Sequence, residues 1–174
     1  MTRSTNARIA GFTLLLYIVA GIGTLALTGR AHVTDLLSLL TSFCALVLGV
    51  TLYALTRDQD PDLALLALTC RVIEAIPGHE GAVFFAVGST LFSWLLLRGS
   101  MIPVGIAWLG VLASVLLVAF LPLQRAGVIG GSGSWSSSLT WFVWLPALVF
   151  ELMLAFWLIV KGIRPPRNKT LAFA

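Results

Sequence analysis

The sequence contains very few charged residues. Only 10% of its 174 residues are Asp, Glu, Lys or Arg, whereas a soluble globular domain is about one quarter charged. Hydrophobic residues make up 59% of the chain, and its mean hydropathy is +1.00. A soluble protein of this composition would lack the polar surface needed to cover its core. We therefore predict an all-α integral membrane protein, with one domain over residues 1–174.

The sequence also lacks the motifs of several function classes. It has no Walker-type loop, dinucleotide fingerprint, HExxH or CxxC motif, and GGSGS at 130–134 does not complete a GxSxG pattern. The two cysteines, Cys44 and Cys70, lie inside apolar runs and are interpreted as packing residues. The net charge of +4 comes from scattered basic residues and not from a basic stripe. We expect no cofactor and no nucleic-acid partner.

Apolar runs predict six membrane-spanning helices that form one bundle. The runs cover residues 9–27, 33–55, 63–76, 82–97, 102–120 and 139–163. The third and fourth runs would be only about 21–24 Å long as helices, whereas the hydrocarbon core of a bilayer is about 30 Å thick. We therefore expect the PGHEG turn between them, residues 77–81, to lie below the membrane surface. A depression open to the outer side follows, because irregular backbone at that depth needs protein or water around it.

The distribution of basic residues predicts the orientation. With six spans, both termini lie on one side, and that side would carry Arg3, Arg8, Arg57, Arg98, Lys161, Arg164, Arg167 and Lys169. The opposite side would carry Arg30 and Arg125. Short cytoplasmic loops are enriched in Lys and Arg, so we predict a multipass protein of the cell membrane with both termini in the cytoplasm.

Three charged residues lie inside the predicted spans. A lone charge at the bilayer centre costs at least about 2.5–3.5 kcal/mol. Arg71 and Glu74 are three residues apart and therefore share a face of the third helix. Counting along the helices places Glu151 at a similar depth, near the membrane midplane. We predict that Arg71 is bonded to Glu74, to Glu151 or to both.

The cluster of Arg71, Glu74 and Glu151 allows several interpretations. Our leading hypothesis is that it binds a small amphipathic or lipid-like molecule, together with Ser89 and Ser93 on one face of the fourth helix. Alternatively, Glu74 or Glu151 is protonated and serves as the proton donor of an enzyme acting on an isoprenoid or lipid substrate. A third possibility is a purely structural cluster in an accessory subunit of a larger membrane complex. A cavity aligned on a glutamate with aromatic rings opposite it would favour the enzyme, and a filled core would favour the subunit.

A second polar group is predicted near the outer side. It consists of His32, Asp35, His79 and Glu80. These residue types can bind a metal or carry protons, but their spacing fits no metal motif. We interpret them as loop residues exposed to water, with a metal or a haem held by His32 and His79 as a weak alternative.

Four segments carry a family resemblance: NARIAG in the first helix, DPDLALLALTCRVIEAI in the third, FFAVGSTLFSWLLLRGSMIPVGIAWLG in the fourth and fifth, and LPALVFELMLAFWLIVKGI in the sixth. They resemble bacterial membrane proteins of domain-of-unknown-function family 4386. The resemblance implies a multipass helical fold in a bacterial inner membrane and no established activity. It carries the polar positions of the family over to Arg71, Glu74 and Glu151.

Overall fold

The structure, a computed structural model, describes residues 2–76, 81–129 and 138–163. This part of the chain is helical and contains no strands. Its helices are α1 (Arg3–Ala26), α2 (Ala31–Thr56), α3 (Pro61–Glu74), α4 (Gly81–Arg98), α5 (Val104–Arg125) and α6 (Ser138–Val160). The predicted all-α fold is confirmed.

Five of the described helices, α1, α2, α4, α5 and α6, are long and apolar enough to cross a membrane. The longest, α2, has 26 residues and extends about 39 Å at the helical rise. In contrast, α3 has 14 residues and extends only about 21 Å. These lengths and compositions make the chain a multipass integral membrane protein in which α3 is a short helix beside five full-length ones.

The first helix starts earlier than its apolar run predicts. It begins at Arg3 instead of residue 9, and the Thr2 side chain caps it by accepting a hydrogen bond from the backbone N–H of Thr5 at 3.2 Å. The Arg3 guanidinium donates to the carbonyl oxygen of Leu55 at 2.9 Å and lies 3.4 Å from the Asp58 carboxylate. These polar contacts extend the helix beyond the segment that hydropathy can detect.

Prolines explain two of the other shifted boundaries, the end of α3 and the start of α5. The third helix ends at Glu74 instead of residue 76, because a proline at position 77 disfavours the helical conformation of the residue before it. Pro103 is the extended N-cap of α5, so this helix begins at Val104 and not at residue 102. It then continues through Pro122 to Arg125, beyond the predicted end at residue 120.

The helices form a closed ring. Each helix packs against the next one along the chain, and α1 also packs against α6. One end of the ring, here called the charged end, carries ion pairs between Arg3 and Asp58 and between Arg98 and Asp60. Because successive helices run in opposite directions, the C-terminal ends of α1, α3 and α5 and the N-terminal ends of α2, α4 and α6 lie at the opposite end.

The interior is filled toward the charged end and more open toward the opposite end. A core cluster toward the charged end draws on α1 to α6, and a second cluster nearer the opposite end draws on α4, α5 and α6. No residue of α1 after Ala20, and none of α2 before Cys44, is buried. The parts of α1 and α2 near the opposite end instead contact each other, with Gly23 close to Leu37. They therefore leave space between themselves and α6.

Candidate functional site

Arg71 and Glu74 form a buried ion pair at the end of α3. The Arg71 side chain is 3% exposed and that of Glu74 is 7% exposed. Nη1 of Arg71 donates to Oε2 of Glu74 at 2.9 Å and to Oε1 at 3.2 Å. The bond between Arg71 and Glu74 that the sequence predicts is therefore present.

Two further side chains connect this pair to neighbouring helices. The hydroxyl of Tyr17 on α1 donates to Oε1 of Glu74 at 2.6 Å. Nη2 of Arg71 donates to Oγ of Ser89 on α4 at 3.4 Å. The ion pair thus links α1, α3 and α4 by hydrogen bonds. Tyr17 is not among the site residues predicted above, although a hydroxyl group inside an apolar span indicates a polar partner.

Aromatic rings surround the Arg71 guanidinium. Its carbon atom lies 5.0 Å from the ring centre of Phe85 and 5.8 Å from that of Tyr17. Tyr17 stacks on Phe85 at 6.2 Å between ring centres, and Phe85 stacks on Trp144 at 5.7 Å. Cation–π attraction therefore adds to the ion pair in holding the arginine inside the bundle.

Glycines allow α2 and α4 to approach Arg71 closely. A Cβ atom added at Gly49 would lie 2.9 Å from Cβ of Arg71 and 3.0 Å from a methyl carbon of Leu68. A Cβ atom at Gly88 would lie 3.2 Å from Cβ of Cys70. Such small-residue contacts are typical of helix packing in membranes. Gly49 thus allows α2 to pack directly against α3.

Glu151 lies close to this network but is not bonded into it. The residue is 8% exposed, and its buried Oε1 atom has no hydrogen-bond partner in the part of the chain that the structure describes. Nε of Arg71 also lacks one. Arg71, Glu151, Ser89 and Ser93 line a small cavity of about 20 Å³, which is large enough for one water molecule. The shared cavity supports the predicted common depth of Arg71 and Glu151, whereas no direct bond joins them.

A larger cavity, here called the lateral cavity, lies on the other side of Glu151. Its volume is about 370 Å³. Its walls come from α1, α2, α4 and α6: Tyr17, Ile18, Gly21, Ile22, Thr24, Leu25, Ser38, Thr41, Phe85, Trp141, Trp144, Leu145, Ala147, Leu148 and Glu151. Among these residues Glu151 is the only one with a formally charged side chain, so the lateral cavity is an apolar space with a carboxylate in its wall.

A third cavity, here called the turn cavity, lies where α3 ends and α4 begins. It measures about 240 Å³, and Glu74, Gly81 and Ala82 contribute to its wall. It shares Tyr17, Thr41, Phe85 and Trp144 with the lateral cavity. A cavity is thus present at the short α3–α4 pair, where the sequence predicts a depression, whereas residues 77–80 of the PGHEG turn lie outside the described residues.

The second polar group does not assemble into a site within the described residues. His32 and Asp35 are exposed near the start of α2, whereas His79 and Glu80 lie outside the described residues. No group of three or more His, Cys, Asp or Glu side chains that could hold a metal occurs in ranges 2–76, 81–129 and 138–163. Cys44 and Cys70 are both buried and free, which agrees with a packing role.

Comparison with known proteins identifies the family. The model of the family described as Domain of unknown function (DUF4386) matches residues 78–162. The matched segment contains Ser89, Ser93 and Glu151, whereas Arg71 and Glu74 precede it. No curated protein and no solved structure matches the chain. The match supports membership of the chain in the DUF4386 family, as the resemblance in its sequence implies.

Proposed function

We propose that this DUF4386 protein binds a small amphipathic or lipid-like molecule in the lateral cavity. The supporting observation is an apolar cavity of about 370 Å³ whose wall contains Glu151, a buried carboxylate with an unpartnered oxygen. Ligand pockets typically measure about 300–1,000 Å³ and combine apolar walls with a few polar groups. An apolar chain would pack against the walls while a polar head group supplied Glu151 with a partner.

The rim of the lateral cavity supports access from the bilayer. Ile22, Trp141 and Leu145 line the cavity and are each about half exposed. Apolar side chains exposed on a membrane-spanning helix favour contact with lipid. A lipid-like molecule would therefore reach the cavity between α1 and α6 without crossing water.

In this proposal the predicted site residues have different roles. Glu151 contacts the ligand, whereas Arg71 holds Glu74 and joins the helices beneath the cavity. Ser89 and Ser93 line the small cavity together with Arg71. They would contact a ligand only if part of the ligand, or a bridging water molecule, reached past Glu151. A membrane-protein partner remains a prediction from the sequence.

A cavity-filling substitution tests the binding proposal. Gly21 lines the lateral cavity, and a Cβ atom there would meet no atom within 4 Å. Gly21→Leu should therefore occupy part of the cavity without disturbing Arg71 or Glu74. Gly105→Leu is a matched control, because Gly105 is exposed on α5 and is equally open around its Cβ position.

The measurement compares the small molecules that copurify with each protein in mild detergent, using solvent extraction and mass spectrometry. We expect a molecule retained by the wild type and by Gly105→Leu, and reduced at least about tenfold in Gly21→Leu, because a filled pocket loses both contact area and space. Equal retention by all three folded proteins would place binding outside the lateral cavity and contradict the proposal.

A membrane-embedded enzyme is a second candidate, and one specific observation favours it. The lateral cavity sets Glu151 among the rings of Tyr17, Phe85 and Trp144, which could stabilise a cationic intermediate. Glu74 is already bonded to Arg71 and Tyr17, so Glu151 is the better proton donor. Incubation with isoprenoid alcohols should then give isomerised or cyclised products that disappear in Glu151→Gln. If the wild-type protein forms no product, the enzyme hypothesis loses its support.

We also propose that the charged end faces the cytoplasm and that both chain termini lie there. Arg3, Arg57 and Arg98 lie at this end, and Arg30 lies at the opposite one, which follows the positive-inside rule. In a chain with Cys44 and Cys70 replaced by alanine, a membrane-impermeant maleimide should label Gly29→Cys on intact bacterial host cells. It should label Ser100→Cys only after permeabilisation. The reverse labelling pattern would contradict this orientation and show that the charged end faces outward.

A further inference from the structure

We infer that the ligand of the lateral cavity is a cationic amphiphile, with a protonated or quaternary amine placed at Glu151; this inference rests on the binding function proposed above. Lipid-like molecules carry neutral, anionic or cationic head groups. Charge, wall chemistry and the arrangement of residues on α6 all favour the cationic class.

With both glutamates ionised, the buried side chains of the site carry one more negative than positive charge. Arg71 carries one formal positive charge, and Glu74 and Glu151 carry two formal negative charges. The guanidinium is committed to Glu74 through Nη1 and to Ser89 through Nη2. Glu151 keeps an unpartnered oxygen. An ammonium head group would complete the charge balance, whereas an anionic head group would add a third negative charge in a medium where unpaired charges are costly.

The described walls of the two cavities contain no cationic side chain, although the Arg71 guanidinium lies behind them, over the rings of Tyr17 and Phe85. In the described part of the chain, neither Lys nor Arg lines the lateral cavity or the turn cavity. Both cavities include the rings of Tyr17, Phe85 and Trp144. Aromatic rings attract ammonium groups, most strongly when the cation has left water. The same described walls offer hydroxyl groups but no arginine or lysine, the side chains through which proteins commonly bind a phosphate or carboxylate head group.

The spacing along α6 places the charged group deep and the apolar chain toward the rim. Trp144 and Glu151 are seven residues apart and lie on one face of the helix, with a separation of about 10.5 Å along its axis. On α1, the lining residues from Ile18 to Leu25 span the same seven residues. An alkyl chain of roughly this length can follow α1 toward the rim while its amine reaches Glu151.

Four probes with the same ten-carbon chain test this inference: decylamine, decyltrimethylammonium, decanol and decanoate. Their binding to the full-length protein in detergent is measured by native mass spectrometry at several probe concentrations. The proteins compared are the wild type, Glu151→Gln, Gly21→Leu and the control Gly105→Leu. Glu151→Gln removes the charge and nearly preserves the shape.

We expect both cationic probes to bind the wild type at least about tenfold more tightly than decanol, and decanoate to bind most weakly. A tenfold difference in affinity corresponds to the lower limit for a hydrogen bond to a charged group. Glu151→Gln should remove this preference and leave decanol binding unchanged. Gly21→Leu should weaken all four probes, and Gly105→Leu none of them. If Glu151→Gln does not fold, the relative affinities of the four probes for the wild type still test whether the ligand is cationic.

The two proposals fail in different ways. Equal binding of charged and neutral probes that Gly21→Leu abolishes would overturn the cationic ligand and retain the cavity as a binding site. Tighter binding of decanoate than of decylamine would also overturn it. Binding that Gly21→Leu does not weaken relative to Gly105→Leu would overturn the lateral cavity as the site and both proposals with it.

Discussion

Replacing Arg71 with methionine should destabilise the bundle strongly, because it leaves the Glu74 carboxylate buried without its cation. Arg71 supplies two hydrogen bonds to Glu74, at 2.9 Å and 3.2 Å, and only the Tyr17 hydroxyl would remain. Removing one partner of a buried ion pair costs about 3–5 kcal/mol. The double replacement Arg71→Met, Glu74→Met should recover most of this loss, since apolar side chains of similar volume often replace a buried pair at little cost.

The assay is the free energy of unfolding in mixed micelles of a mild detergent and sodium dodecyl sulfate. Arg98→Met is the matched control, because Arg98 pairs with Asp60 at 3.2 Å but its side chain is 49% exposed. An exposed pair contributes about 0–1 kcal/mol. If Arg71→Met costs no more than Arg98→Met, or if the double variant is less stable than Arg71→Met alone, the ion pair does not hold the helices together as described.

Two further substitutions probe the surroundings of the ion pair. Tyr17→Phe removes the 2.6 Å hydrogen bond to Glu74 and should lower the free energy of unfolding by about 1–2 kcal/mol in the same assay. Tyr53→Phe is the matched control and should cost less. Equal losses in the two variants would contradict a specific role for the Tyr17 hydroxyl. Gly49→Ala brings a Cβ atom to 2.9 Å from Cβ of Arg71 and should lower the free energy of unfolding by about 1–3 kcal/mol through overpacking. Gly105→Ala, the control, has open space around the new Cβ atom and should be neutral or slightly stabilising. If Gly49→Ala is equally tolerated, α2 and α3 are not closely packed at this position.

The helical architecture was predictable because its signals are local. Long apolar runs predict α2 and α4 to within two residues at each end. The i, i+3 spacing of Arg71 and Glu74 is enough to predict their ion pair, since it depends on the geometry of one helix. The start of α1 was less predictable, because Arg3 is held by contacts with Leu55 and Asp58, which are distant in the sequence.

The rest of the site depends on how the helices face each other. Counting residues gives the depth of Glu151 but not its direction around the helix axis, and the structure places it beside Arg71 without a direct bond. The sequence does not mark Tyr17 and Phe85, which stack here together with Trp144, because aromatic residues in an apolar run are equally suited to face lipid. Their stacking, and the lateral cavity beside it, arise from the separation of α1 and α2 from α6, which no local pattern in the sequence encodes.

The most direct test of the proposed binding function is a crystal structure, grown from a lipid mesophase, of the protein with 10-bromodecylamine, recorded at the bromine absorption edge. Our account predicts an anomalous bromine peak between α1 and α6 near Leu25 and Leu145, with the amine density directed at Glu151. Bromine peaks confined to the outer, lipid-facing surface of the bundle, with no density in the lateral cavity, would contradict it.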